Sequence, residues 1–92
     1  MAHLTYNRSY RLRLTIELFA ALSQAVGAKT VSVELPDNTT VGDLLEHLSV
    51  SHPSLGELLG SVSVAVNMAY VGTADVLTDD DEVALIPPVS GG

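Results

Sequence analysis

Ninety-two residues allow one domain with a modest core, and a chain that is 47% hydrophobic and 16% charged is built to pack rather than stay unfolded. The sequence has no cysteine, which excludes disulfides, thiolate metal sites and a thiol nucleophile. The net charge of −7 is uneven: Arg8, Arg11, Arg13 and Lys29 all precede Thr30, while ten of the eleven acids follow Lys29, so nucleic acid and anionic membrane are excluded as partners and a basic protein surface is favoured.

Residues 1–10 are polar and aperiodic, and read as a loose N-terminal extension. A domain then runs over 11–86 and a flexible tail over 87–92. From Arg11 to Phe19 the chain alternates: Leu12, Leu14, Ile16 and Leu18 point one way and Arg11, Arg13, Thr15 and Glu17 the other, the period of a strand with one buried face. Phe19, Leu22 and Val26 shift to helical spacing, with Gly27 as the stop. The arginines, apolar run and Ala-Val-Gly-Ala of this region imitate a targeting signal. Arg13, Glu17, Ser23 and Gln24 interrupt it, and no stretch reaches transmembrane length, so the expected location is cytoplasmic.

Thr30 to Leu35 alternates again, with Val31, Val33 and Leu35 inward, and stops at the turn signal Pro36-Asp37-Asn38. The short connection to the first strand makes an antiparallel pair. Thr40 opens the main helix as N-cap, with Asp43 completing an acidic capping box. Val41, Leu44, Leu45 and Leu48 form one apolar stripe, and His52-Pro53 ends the helix. Leu55, Leu58 and Leu59 suggest a further turn or two, closed by Gly60. Val62, Val64 and Val66 give a third strand, Asn67 a turn, Tyr70-Val71 a short return strand and Thr78-Asp79-Asp80-Asp81 another turn. Glu82 to Ile86 is the last strand, with Val83 and Leu85 on one face. This order predicts an α+β domain: a mixed sheet of about five strands with one main helix across it and the last strand beside the first. That is the β-grasp, or ubiquitin-like, architecture.

The side chains offer little chemistry. His3, His47 and His52 lack a metal-ligand spacing, and Asp79-Asp80-Asp81-Glu82 lacks the spaced oxygens of a calcium loop. No serine sits in a nucleophile elbow, and no glycine-rich phosphate loop follows a strand. The expectation is a domain with no catalytic pocket, bound cofactor or metal of its own.

What remains is the ending, Ile86-Pro87-Pro88-Val89-Ser90-Gly91-Gly92. Two prolines stiffen the exit from the last strand, and two glycines can enter a channel too narrow for side chains. From Pro87 to Gly92 the chain can span roughly 20 Å, enough to carry a terminal carboxylate into another protein. A carboxylate converted to an acyl-adenylate becomes an electrophile that a sulfur donor can attack, so Gly92 can act as the end of a swinging arm.

The run Asp81-Glu82-Val83-Ala84-Leu85-Ile86-Pro87-Pro88-Val89-Ser90-Gly91-Gly92 resembles the ending of the small subunits of molybdopterin synthase, a family of β-grasp sulfur carriers. The resemblance implies that Gly92 is adenylated and then thiocarboxylated. It implies that Pro87, Pro88, Val89, Ser90 and Gly91 thread into two partners, the large synthase subunit and an adenylyltransferase resembling ubiquitin-activating enzymes, which consumes ATP. Exposed apolar residues near the tail, on the strand carrying Val83 and Leu85, would form the docking face. The delivered sulfur would enter the dithiolene of molybdopterin. Two departures stand out: Asp80 replaces a glycine common in the turn before the last strand, and residues 1–10 exceed the compact family start. A carrier for thiamine or cysteine, a protein modifier, and a β-grasp interaction module with an inert tail are the alternatives.

Overall fold

A computed structural model describes residues 12–88. The expected extension over residues 1–10, and Val89, Ser90, Gly91 and Gly92, lie outside the described residues.

The first strand, β1 (Leu12–Leu18), buries Leu12, Leu14, Ile16 and Leu18 and exposes the residues between them, as its period-two pattern requires. Ala20 then takes a left-handed φ of 51°, which breaks the strand and turns the chain into α1 (Ala21–Val26). Phe19 is therefore not part of the helix, contrary to its spacing. It stays outside as an exposed residue whose carbonyl accepts from the Leu22 N–H at 3.0 Å. Gly27, at φ 82°, closes α1, its N–H donating to the Ser23 carbonyl at 2.8 Å.

Strand β2 (Thr30–Leu35) runs antiparallel to β1, with Ile16 opposite Val31 and Leu14 opposite Val33. The main helix, α2 (Val41–Ser51), begins at the expected capping box. The Asp43 N–H donates to Thr40 Oγ1 at 3.1 Å, and the Thr40 N–H donates to Asp43 Oδ2 at 3.2 Å. Such a cap is worth about 1 kcal/mol. Val41, Leu44 and Leu48 are buried, and Leu45 is half-buried beside them. The helix stops before His52-Pro53. Two 3-10 turns follow, at Pro53–Leu55 and Leu58–Ser61, and bury Leu55 and Leu59.

Strands β3 (Ser63–Val66) and β4 (Ala69–Val71) form a hairpin through Asn67 and Met68, both at positive φ (51° and 71°), as a primed two-residue turn demands. Val62 lies just before β3 rather than within it. Strand β5 (Glu82–Ile86) pairs parallel to β1 and antiparallel to β3, giving a sheet order β2-β1-β5-β3-β4. The helices and turns share one aliphatic core with the inner face of this sheet. Val83 and Leu85 are fully buried there, each contributing about 1.5–3 kcal/mol by leaving water.

The segment between β4 and β5 is strapped over the start of α2. Val41 and Gly42 donate to the carbonyls of Asp75 and Thr73 at 2.9 Å each, and Leu77 donates to Thr39 at 2.9 Å. A Cβ on Gly42 would meet the Thr73 carbonyl oxygen at 3.3 Å, so glycine gives this crossing its clearance and a side chain would press on the strap. Leu77, buried in the core, anchors the strap.

Candidate functional site

The parallel pairing of β1 with β5 decides where the tail leaves. Leu18 lies opposite Leu85, so both strands finish at the same end of the sheet, and Phe19 follows one while Ile86-Pro87-Pro88 follows the other. Phe19, Ala20, Ile86, Pro87 and Pro88 together line an open groove of about 390 Å³, apolar almost throughout. Phe19 is 46% exposed, a large apolar residue placed where burial against another protein would be favourable.

The groove continues onto the face of the sheet that no helix covers among the described residues. The register sets Tyr70 beside Ala65, Ala65 beside Ala84 and Ala84 beside Glu17, with Ser63 beside Ile86 in the next row. Small alanines in the centre make a shallow saddle between Tyr70, 73% exposed, and the Phe19 groove. The strand carrying Val83 and Leu85, where exposed apolar residues are expected, does reach this face, but not through those two residues. Those two side chains are fully buried under the helices, because alternation turns them to the core. The residues that β5 presents outward are Glu82, exposed, and Ala84 and Ile86, both half-buried.

Towards the opposite end the open face is polar. A groove there is bordered by Arg13, Asp80, Asp81 and Glu82, and four acids, Glu17 included, oppose one arginine. That balance is wrong for a phosphate. The acidic turn is itself structural. The Arg13 N–H donates to Asp79 Oδ1 at 2.8 Å, and Asp81 accepts from the Thr78 N–H at 2.7 Å, the Thr78 hydroxyl at 2.9 Å and the Asn67 amide at 2.9 Å. Slight burial pushes the Asp81 carboxyl up. The bonds from Thr78 and Asn67 outweigh it, and the group lies below its ordinary value of 3.8. Asp80 adopts φ 66°, the left-handed geometry a glycine would take at no cost. Among the described residues, no three His, Asp or Glu side chains gather as a metal site, and His47 bonds only Ser51, at 3.2 Å.

Pro87 and Pro88 stand at the groove as half-buried and exposed residues. The other expected tail residues, Val89, Ser90, Gly91 and Gly92, lie outside the described residues.

The model of the ThiS family matches residues 16–92. The chain belongs to the ThiS family. Small archaeal modifier protein 1 of Haloferax volcanii is 38% identical over 84 residues, covering 83% of this chain and 97% of the relative. The molybdopterin synthase sulfur carrier subunit of Chlamydomonas reinhardtii is 35% identical over 83 residues, covering 88% and 100%. The crystal structure of the Haloferax modifier superposes with a TM-score of 0.76 at 36% identity, covering 87% of this chain and 99% of that one. The β-grasp architecture read from element order is therefore the fold of this ThiS-family chain, with its mixed five-stranded sheet and one main helix.

Sequence periodicity missed two members of the site, Phe19 and Ile86. Phe19 fitted a helical stripe, and Ile86 reads as one more strand residue. The signal that could have found Phe19 is its size: as the one phenylalanine, it breaks the aliphatic pattern directly after a strand.

Proposed function

We infer that this ThiS-family chain is the sulfur carrier subunit of a molybdopterin synthase. The observation that carries the reading is the central last strand, which leads into Pro87-Pro88 beside an exposed apolar groove, in a domain whose acids Asp79 and Asp81 are spent on a turn. In this reading the groove and the saddle dock a partner, and the arm from Pro87 to Gly92 brings the Gly92 carboxylate to that partner's catalytic groups.

The chemistry then proceeds in two transfers. The Gly92 carboxylate attacks the α-phosphate of ATP within an adenylyltransferase, releasing pyrophosphate and leaving a mixed anhydride. A sulfur donor attacks the acyl carbon, AMP departs, and Gly92 carries a thiocarboxylate. Docked on the large synthase subunit, that sulfur passes to a pterin precursor and becomes part of a dithiolene. This chain contributes reach and orientation, and glycine at both terminal positions keeps side chains out of the reacting centre. The name of the Chlamydomonas relative supports this pathway. The name of the Haloferax relative favours a second reading, in which the same activated glycine is joined to proteins as a modifier.

The test is an intact mass before and after incubation with ATP, a sulfide source and the host's adenylyltransferase. Replacement of one oxygen by sulfur, absent when Gly92 is deleted, is the expected result. An unchanged mass in the presence of an enzyme that activates another carrier would sink the reading. An interaction module with an inert tail predicts that deletion of Gly91 and Gly92 changes nothing.

A further inference from the structure

The two edges of the sheet, β4 and β2, are unlike. β4 has three residues and starts from the tight turn of Asn67 and Met68. β2 has six, paired to β1 in unbroken register from Glu17 opposite Thr30 to Leu12 opposite Leu35. The Leu18 N–H donates to the Lys29 carbonyl at 2.8 Å, which makes these two a directly bonded pair of the same ladder. Bonded and non-bonded pairs alternate between antiparallel strands. Val31, Val33 and Leu35 therefore turn their backbone groups towards β1, and Thr30, Ser32 and Glu34 turn theirs away from it. Arg13, opposite Glu34, agrees with this phase: its N–H and carbonyl serve Asp79 and Asp80, on the side away from β2. Among the described residues, nothing pairs with the outward N–H and carbonyl groups of Ser32 and Glu34. Proteins commonly blunt an edge of this length with lysine, proline or a bulge. Between Thr30 and Leu35, β2 has none of the three.

We propose that the β2 edge docks an extended basic segment of a partner protein, which adds to the sheet as a further strand. The backbone sets the extended form. Donors and acceptors at Thr30, Ser32 and Glu34 repeat every second residue, the spacing another strand presents. The side chains set the sign. Thr30, Ser32 and Glu34 lie exposed on the open face of the sheet, and the cross-strand neighbour of Thr30 is Glu17. Asp80, Asp81 and Glu82 border the same groove as Thr30 and Glu17, and its one cation, Arg13, lies 3.6 Å from Glu34. Lysine or arginine at alternate positions of the incoming strand falls beside Glu34 and this acidic surface. The positions between them lie on the helix side, next to the half-buried Val31, where a β-branched apolar residue fits. A second copy is disfavoured, because pairing two β2 edges joins chains of net charge −7 and brings their acids together. β1 separates this edge from β5, and no residue of the Phe19 and Pro87-Pro88 groove belongs to β2, so a partner held here leaves the tail groove open.

The probe is a capped hexapeptide that alternates lysine and valine, added to the full-length chain at low salt and followed by amide hydrogen exchange. The Ser32 and Glu34 amides should exchange freely in the chain alone and at least about tenfold more slowly at saturating peptide, while Val31 and Val33, already in the ladder, keep their protection. The matching hexapeptide of glutamate and valine should slow neither. Ser32→Pro removes an outward N–H and takes no bond from the β1 ladder, so it should keep the circular dichroism of the folded chain and bind the lysine peptide at least about tenfold more weakly. Glu34→Lys should also stay folded and weaken binding by about fivefold. Slow exchange of Ser32 and Glu34 in the chain alone would overturn the proposal, since the edge would then be filled by this chain or by a second copy. So would the absence of slowing at millimolar lysine peptide, equal slowing by the glutamate peptide, or binding that neither substitution changes.

Discussion

The two ends of the central β1–β5 pair are built from opposite materials. At the start of the pair, Thr78, Asp79, Asp81 and Asn67 form a closed polar network. Arg13 is held by Asp79, Asp81 takes three hydrogen bonds, and the Glu82 N–H donates to Asn67 Oδ1 at 3.0 Å. At the finish, Phe19, Ile86, Pro87 and Pro88 leave apolar surface open. The first end satisfies itself and so serves the fold. The second leaves apolar area in water, the kind of surface that a partner in the proposed carrier reading would cover.

The sharpest break between the ends is deletion of Gly92, which should abolish sulfur loading in the intact-mass assay while leaving the melting curve of the domain in place. A retained load would show that the arm does not carry the function. Next in size, Phe19→Asp should weaken capture of the large synthase subunit by about 2 kcal/mol, roughly thirtyfold in Kd, by isothermal titration. Because Phe19 lies outside the buried core cluster, denaturant unfolding should shift by less than about 1 kcal/mol. A large stability loss instead would return Phe19 to the structural side of the comparison.

Asp81 tests the polar end. Its carboxyl is lower in the folded state than in the unfolded chain, so the folded state prefers it ionised. That stabilisation is complete above the ordinary value of 3.8 and is lost as pH falls through the lower folded value. Unfolding midpoints should therefore show no Asp81-dependent change from pH 7 to 5, where the stabilisation is fully present, and a loss of stability below the unfolded reference of about 3.9. Asp81→Asn should flatten this acid limb and cost about 1 kcal/mol at neutral pH, kept small by solvent exposure. Sulfur loading should persist in that variant. The smallest effect belongs to Met68→Gly. Met68 is 95% exposed and held at φ 71°, so glycine removes strain without removing packing. A gain of about 0.5–1 kcal/mol in denaturant unfolding is expected.

Much of the fold was legible locally. Leu12 to Leu18 and Thr30 to Leu35 alternate because one face is buried, and Thr40 with Asp43 announces the helix start by chemistry confined to four residues. Asn67 and Asp80 mark turns because their side chains tolerate left-handed backbone. Phe19 was misread because a residue just past a strand fits more than one period. Its true place depended on the unusual φ of Ala20, which no pattern encodes. Val83 and Leu85 could be grouped on one face but not assigned to a side, since alternation fixes which residues agree and not which face is covered.

The sequence by itself determined the elements, the aliphatic core, the acidic surface and the Pro-Pro-Val-Ser-Gly-Gly ending, because each depends on neighbours within a turn or a strand. Only the tertiary structure decided that Phe19 meets Pro87 and Pro88 at one end of the sheet while the acidic turn locks the other. That meeting rests on the parallel pairing of Leu18 with Leu85, strands separated by most of the chain, whose alignment is fixed by the shared core and not by any local run of residues.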